Sequence, residues 1–362
     1  LLSASELDTV TLSFNDTACD FGTPQAVHHL IEKQVTATPN QIAIEAHEAN
    51  DFEMLSYQEL NRRANRLAHE LIAQGVMPGN LIAISYGRSI EMAIATLAVL
   101  KAGAAYVPVD PHYPNDRITY MLEDSAATLL LTSSAADATE TKTLHLDQFD
   151  FTTGNGSNPD IVIAADAPLY TIYTSGSTGL PKGVVLAHAG LSNLLHWQQM
   201  QNGLRDPART LQFASLSFDV SFQELFSTWA QGGTLVMISE ELRKDLAALA
   251  VFVSERSIER LYMPFAALQP LADAFAERSD LQLKIKDIIS AGEQLQVTPA
   301  IRTLFKRCKG RLHNQYGPSE THVVTSLSLD TAITTPDNWP LLPSIGHPVA
   351  NTRCYILDAN HR

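Results

Sequence analysis

The chain has 362 residues, enough for two or three domain-sized units, and 45% of them are apolar, which suits a large buried core rather than a disordered chain. Its 25 Lys and Arg against 39 Asp and Glu give a formal net charge of −14, which argues against a nucleic-acid partner, because phosphate backbones are gripped by clustered cations. Cys19, Cys308 and Cys354 form no CxxC and no zinc spacing, no apolar run approaches the ~18 residues of a membrane span, and Leu1-Leu2-Ser3-Ala4-Ser5-Glu6 has no targeting-signal character. The expectation is a reducing, cytoplasmic setting without a membrane partner. The absent initiator Met suggests a piece of something longer.

Residues 1–24 have weak periodicity and read as a linker or arm. The spacing of Val27, Leu30, Ile31 and Val35 predicts a helix ending by Pro39-Asn40, followed by a short strand at Ile42-Ala43-Ile44. Ser56-Tyr57-Gln58-Glu59 has capping-box form, the Ser hydroxyl taking a free N–H and the Glu reaching back. Behind it Leu60, Ala64, Leu67, Ala68, Leu71 and Ile72 share one helical face, up to Gly75. A strand at 81–85, a helix at 92–100, an extended segment at 105–108, a helix at 117–122 and a strand at 128–132 follow. Residues 152–160 are a turn-rich break. Beyond it strands at 211–213, 234–238, 258–263 and 285–289 alternate with helices at 222–230, 246–255 and 266–275. Such alternation implies α/β lobes built on mostly parallel sheets flanked by helices, here two, at about 25–160 and 161–345. The run Cys354-Tyr355-Ile356-Leu357 reads as a new strand opening a third subdomain over 346–362.

The most informative stretch is Tyr173-Thr174-Ser175-Gly176-Ser177-Thr178-Gly179-Leu180-Pro181-Lys182-Gly183, between apolar strands Leu169–Ile172 and Val184–Leu186. Glycines let backbone N–H groups approach an anion, hydroxyls add donors and Lys adds charge, which is the chemistry of a phosphate loop. A flexible surface hairpin is the competing reading. A Walker A loop is excluded, because Lys182 follows Pro181 and precedes Gly183, and a nucleophile elbow is excluded, because Ser175 stands where Gly is required.

Thr174–Gly183 matches at ten positions and resembles the signature loop of the adenylate-forming superfamily, which includes acyl-CoA synthetases, firefly luciferase and the adenylation domains of nonribosomal peptide synthetases. The segments 55–60, 100–111, Ser217-Phe218-Asp219-Val220-Ser221 and Asn314-Gln315-Tyr316-Gly317-Pro318-Ser319-Glu320-Thr321 resemble adenylation-domain core motifs in the expected order, as does Gly346-His347-Pro348 through Asn351 to Asp358. Phe14-Asn15-Asp16-Thr17-Ala18 resembles the linker that follows a condensation domain.

The resemblance implies an α/β core in two lobes with the start of a β-barrel subdomain, using ATP and Mg²⁺. It assigns Thr174, Ser175, Thr178 and Lys182, with Gly176, Ser177 and Gly179, to the β- and γ-phosphates, Ser319 to the α-phosphate and Glu320 to Mg²⁺. It places Tyr316 on the adenine ring, Asn314 at its amino edge, Ala291-Gly292-Glu293 on its other face, and Gln315 and Gly317 in the same nucleotide site. The implied reaction joins an amino-acid carboxylate to AMP, releases pyrophosphate, and hands the product to a peptidyl carrier protein with a phosphopantetheine arm, downstream of a condensation domain. Asp219 would meet the substrate ammonium, since a carboxylate in a dry pocket needs a cation; the competing reading is a cap on the helix near Phe222. The pocket set Asp219, Val220, Gln223, Tyr262, Ile289, Ala291, Gln315, Val323 and Val324 resembles sets associated with proline, with pipecolate or a substituted proline close behind. The family's Thr-Gly-Asp motif and its mobile C-terminal lid with a catalytic Lys lie beyond this sequence, so a core of reduced activity is expected. An acyl- or aryl-CoA synthetase core and a non-catalytic nucleotide-binding fragment are the alternatives; Asp219 disfavours the first.

Overall fold

Short apolar strands alternating with helices become two sheets in the computed structural model, which describes residues 3–48, 51–135, 139–175 and 180–357. The strands are β1 (Ile42–Glu48), β2 (Asp51–Ser56), β3 (Leu81–Ser85), β4 (Ala105–Pro108), β5 (Leu129–Thr132), β6 (Thr143–His145), β7 (Pro168–Thr174) and β8 (Lys182–Ala187). They continue with β9 (Arg209–Gln212), β10 (Thr234–Ile238), β11 (Arg260–Tyr262), β12 (Asp287–Ser290), β13 (Arg311–Tyr316), β14 (Thr325–Asp330) and β15 (His347–Pro348). Among the described residues one sheet has nine strands in the order β15-β14-β13-β12-β11-β9-β10-β1-β2, and the other has six, β6-β5-β3-β4-β7-β8. Both are parallel at their centres and antiparallel at an edge, as sheets covered by crossover helices are.

The sheets interlace along the chain. The early strands β1 and β2 belong to the larger sheet, β1 lying parallel to β10 with Ile44 beside Leu235, while the later strands β7 and β8 complete the smaller one. The turn-rich break at 152–160 therefore does not separate the sheets, and a division at 160/161 does not coincide with either. The helix Ile90–Lys101 has eleven of its twelve residues buried, so its apolar surface runs all round. Lys101 at its end is also buried and is neutralised by the Glu32 carboxylate. The Tyr57 hydroxyl donates to Gly233 O at 2.7 Å, and Trp229 Nε1 donates to Ala43 O at 3.1 Å, so the polar tips of two large buried side chains are satisfied. Arg88, after β3, donates to Glu240 at 2.9 Å and to Phe213 O at 2.8 Å, which joins the end of the smaller sheet to the loop leaving β9.

Three local expectations are corrected. The Ser56 hydroxyl accepts from Glu59 N at 3.2 Å, but the Glu59 carboxylate turns to Arg63 at 2.9 Å instead of reaching back, because a nearby guanidinium is the stronger partner. Within the arm, Ala4–Thr11 is a helix with a complete capping box on Ser3 and Glu6. The arm also clasps the far end of the chain: Asn15 exchanges hydrogen bonds with the Cys354 backbone at 3.1 and 2.8 Å, and the Thr17 hydroxyl donates to Thr352 O at 2.7 Å. The run Cys354–Leu357 is not a strand: its apolar side chains are exposed, Ile356 fully so, and among the described residues no ladder lies beside it to satisfy its backbone.

Candidate functional site

In parallel α/β sheets, ligands gather outside the C-terminal ends of the strands, and there the expected residues converge. Tyr262 ends β11 and lies beside Ile289 of β12, and Ser290, the last residue of β12, lies beside Asn314 of β13. Ala291-Gly292-Glu293 and Gln315-Tyr316 therefore leave the sheet side by side. Gly292 has φ +85°, a backbone conformation glycine adopts without penalty, and a Cβ there would meet only open space. Glu293 does not face that space with its carboxylate, which accepts from Ala266 N at 2.9 Å at the start of the helix Phe265–Glu277. Tyr316 is half exposed. Asn314 is buried and donates from Nδ2 to Ser344 O at 2.9 Å, which leaves its Oδ1 as an acceptor.

The loop between β9 and the next helix carries Asp219. Its backbone is held from below by the Glu224 carboxylate, which accepts from Phe213 N and Ala214 N at 3.0 Å each and from Gln212 Nε2 at 3.0 Å. Burial pushes the Glu224 carboxyl up to about 7, against the downward pull of these donors and of Arg88. Asp219 precedes Val220–Phe222 but makes no side-chain cap bond to that helix. Its half-buried carboxylate has no hydrogen-bond or ion-pair partner among the described residues. The helix continues through a π-turn, Gln223–Ser227, a geometry that re-aims side chains and recurs at functional sites.

Val220 packs on Tyr262 and Ile289, which form a buried apolar cluster with Leu204. Gln223 donates to Gln315 Oε1 at 3.0 Å, and both side chains are buried, with Gln223 Oε1 and Gln315 Nε2 left without partners among the described residues. The Tyr262 hydroxyl meets Ser227 Oγ at 2.9 Å. Val324 is half-buried, and its N–H donates to Tyr316 O at 2.8 Å. Val323 packs in a different cluster, with Leu194, Trp197 and Val349.

The phosphate-loop candidate is the β7–β8 hairpin, with Thr174 opposite Lys182. Its base is pinned by Tyr173 donating to Asp124 at 2.7 Å and by Tyr120 donating to Pro181 O at 3.1 Å. A Cβ on Gly183 would lie 2.9 Å from Thr171 Cγ2, so glycine leaves room for the packing beneath the hairpin. Ser175 and Lys182 are exposed, and Lys182 has no ion-pair partner among the described residues. Gly176, Ser177, Thr178 and Gly179 lie outside the described residues.

Ser319 is half-buried and Glu320 exposed, in the loop after β13. Gly317 shapes that loop, since a Cβ there would lie 1.7 Å from His322 O. Two residues that the sequence reasoning passed over also act here. One is Glu224, whose signal was a carboxylate among the apolar Phe222, Leu225 and Phe226. The other is His322, a non-glycine residue at φ +59°, which spacing does not announce.

Residues 31–362 match the AMP-binding enzyme family. Tyrocidine synthase 2 from Brevibacillus parabrevis is 36% identical over 362 residues, covering 99% of this chain and 10% of the relative. Gramicidin S synthase 2 from Brevibacillus brevis is 36% identical over 360 residues, covering 99% of this chain and 8% of the relative. The chain thus spans about a tenth of the length of these curated relatives. Two crystal structures of the nonribosomal peptide synthetase FmoA3 (S1046A) are similar. The form bound to α-methyl-L-serine-AMP has a TM-score of 0.86 at 27% identity, over 97% of this chain and 39% of that one. The AMPPNP-bound form has a TM-score of 0.85 at 28% identity, over 97% and 37%. The family match, these relatives and these structures show that the chain belongs to the AMP-binding enzyme family, of the adenylation type found in nonribosomal peptide synthetases.

Proposed function

We propose that this chain activates an amino acid, proline or a proline-like residue, as its aminoacyl adenylate. The substrate carboxylate oxygen attacks the α-phosphorus of ATP, the new C–O–P bond forms, and the bond to the β-phosphate breaks, releasing pyrophosphate. No protein nucleophile is needed; two anions must be aligned and their charge offset. The observation that carries the reading is the half-buried Asp219 carboxylate, unpartnered among the described residues, within one residue of the Tyr262–Ile289 cluster on which Val220 packs. A cation is what such a group lacks, and a substrate ammonium supplies it. The short apolar wall of Val220, Tyr262 and Ile289 suits a small ring. The FmoA3 structures with a bound aminoacyl-AMP and with AMPPNP support the use of ATP on an amino acid.

Lys182, Thr174 and Ser175 are the described residues that would hold the β- and γ-phosphates, and Ser319 would meet the α-phosphate. Tyr316 offers an aromatic face to adenine, and Asn314 Oδ1 an acceptor to its amino group. Glu320, exposed and without an ion-pair partner among the described residues, fits Mg²⁺ held jointly with nucleotide oxygens. No group of three or more His, Cys, Asp or Glu among the described residues builds a metal cage of its own. Mg²⁺ so bound offsets charge on the departing pyrophosphate.

The adenylate would pass to a phosphopantetheine-bearing carrier protein, with a condensation domain upstream, in a cytoplasmic megasynthase, as the length of the relatives suggests. No helix among the described residues is long and apolar enough to cross a membrane. The test is amino-acid-dependent ATP–pyrophosphate exchange with proline, pipecolate, leucine, glutamine and matched acids lacking the amine. Exchange with proline or pipecolate above the others supports the reading; exchange only with amine-free acids overturns it in favour of a CoA-synthetase-type substrate.

A further inference from the structure

Resting on that reading, we infer that His322 is a positioning residue: it fixes the turn that presents the amine-anchoring Asp219 to the loop that carries Ser319 and Glu320. The imidazole is buried. A backbone N–H can only donate, so Val323 N, 2.8 Å away, makes Nδ1 an acceptor. The proton therefore sits on Nε2, which donates to Asp219 O at 3.1 Å. Both ring nitrogens are used, the tautomer is set by its partners, and the ring is neutral. Its edge rests on Phe222, with centroids 5.8 Å apart at 73°.

The backbone of His322 is equally committed. Its left-handed φ of +59° turns the chain back so that its carbonyl lies against Gly317, the residue before Pro318-Ser319-Glu320. One residue thus touches the α-phosphate loop through its main chain and the amine turn through its ring, across 103 positions of sequence. The carbonyl it reaches is the one that already accepts from Phe222 N at 2.9 Å to start the helix. Because Asp219 makes no side-chain cap, these main-chain bonds hold the turn while its carboxylate takes no hydrogen-bond partner among the described residues. The reaction needs the amino acid's carboxylate, placed through its ammonium, in line with the α-phosphorus, so a rigid link between the two loops sets that distance.

Two substitutions divide the roles. Asparagine is the side chain best suited to a left-handed backbone and can still accept from Val323 N, but it is too short to reach Asp219 O. Glutamine can place a donor near the position of Nε2 but gives up the local acceptor. The probes are AMP and a panel of aminoacyl sulfamoyl adenosines (prolyl, pipecolyl, leucyl, glutaminyl), titrated calorimetrically into the chain, with thermal melting as the check on folding. His322→Asn is expected to keep the melting temperature and AMP affinity while binding the best aminoacyl analogue about tenfold more weakly, the scale of one lost hydrogen bond with its alignment. His322→Gln should stay within about threefold of the parent on both probes. An Asn variant that binds the analogue like the parent, or that loses AMP affinity in step with it, overturns the inference. If the Asn variant melts early, the Gln variant decides: parent-like analogue binding supports the link, and a selective tenfold loss overturns it. If no analogue binds the parent chain more tightly than AMP does, the amino-acid reading itself fails and takes this inference with it.

Discussion

Replacing Asp219 by Asn tests the proposed chemistry most directly. The two side chains have nearly the same shape, so the change removes a charge and little else. Asp219 is half-buried and makes no cap bond, hence its neutralisation costs no described contact. An ammonium about 4 Å from a carboxylate near a protein surface gains ~4 kcal/mol at an effective dielectric of 20. The partial exposure of Asp219 roughly halves that, to about 2 kcal/mol, or about 30-fold. Asp219→Asn should therefore raise the amino-acid KM in pyrophosphate exchange by about 30-fold, with the ATP KM and the melting temperature unchanged. A matched acid without the amine should lose nothing. An unchanged amino-acid KM, or equal losses for both substrates, would refute the reasoning, because the carboxylate would then not be the group that meets the amine.

Three further outcomes are expected. Lys182→Ala should weaken ATP binding about tenfold and AMP binding much less, read by calorimetry, since the exposed ammonium opposite Thr174 is assigned to the outer phosphates. Gly317→Ala should lower stability by about 1–3 kcal/mol in denaturant melts, since its Cβ would fall 1.7 Å from a backbone oxygen that cannot move without His322. Glu224, held near 7 against an ordinary 4.5, keeps its proton longer in the folded than in the unfolded chain. Its contribution to stability is thus full below 4.5 and is lost as pH rises through about 7. Glu224→Gln should flatten the fall in melting temperature between pH 5 and 7, and parallel slopes for the two proteins would discard that account.

Local periodicity made the central elements legible. Leu60, Ala64, Leu67 and Leu71 lie buried on one helical face, and the strand-like runs at 81–85 and 234–238 pair as strands. What periodicity cannot carry is partnership. The runs 42–48 and 168–174 look alike as strands, yet they enter different sheets, because their neighbours lie far away in sequence. Cys354–Leu357 has strand composition but no ladder beside it among the described residues. At the site, Asp219, Gln223, Tyr262, Ile289 and Gln315 were singled out by motif and are linked through Val220, the glutamine pair and His322. The segment 291–293 was placed on the adenine by its resemblance alone, and spacing gave no sign that the Glu293 carboxylate accepts from the helix start at Ala266 N. His322 escaped notice because a positive φ leaves no mark on spacing when the residue is not glycine.

The interlaced sheets bear on how such a catalytic unit can be recombined. A chimaera spliced within 109–167 would leave β1 and β2 of one parent docked on β10 of another, and would set β7 against a foreign β4. Swaps that respect the weave exchange either the whole core or the loop-and-helix segment 213–230 together with the residues it bonds, Ala43, Tyr262, Gln315 and His322, while its flanking strands stay native. Designers altering substrate choice have more room in that segment than at any cut that follows the linear order of the chain.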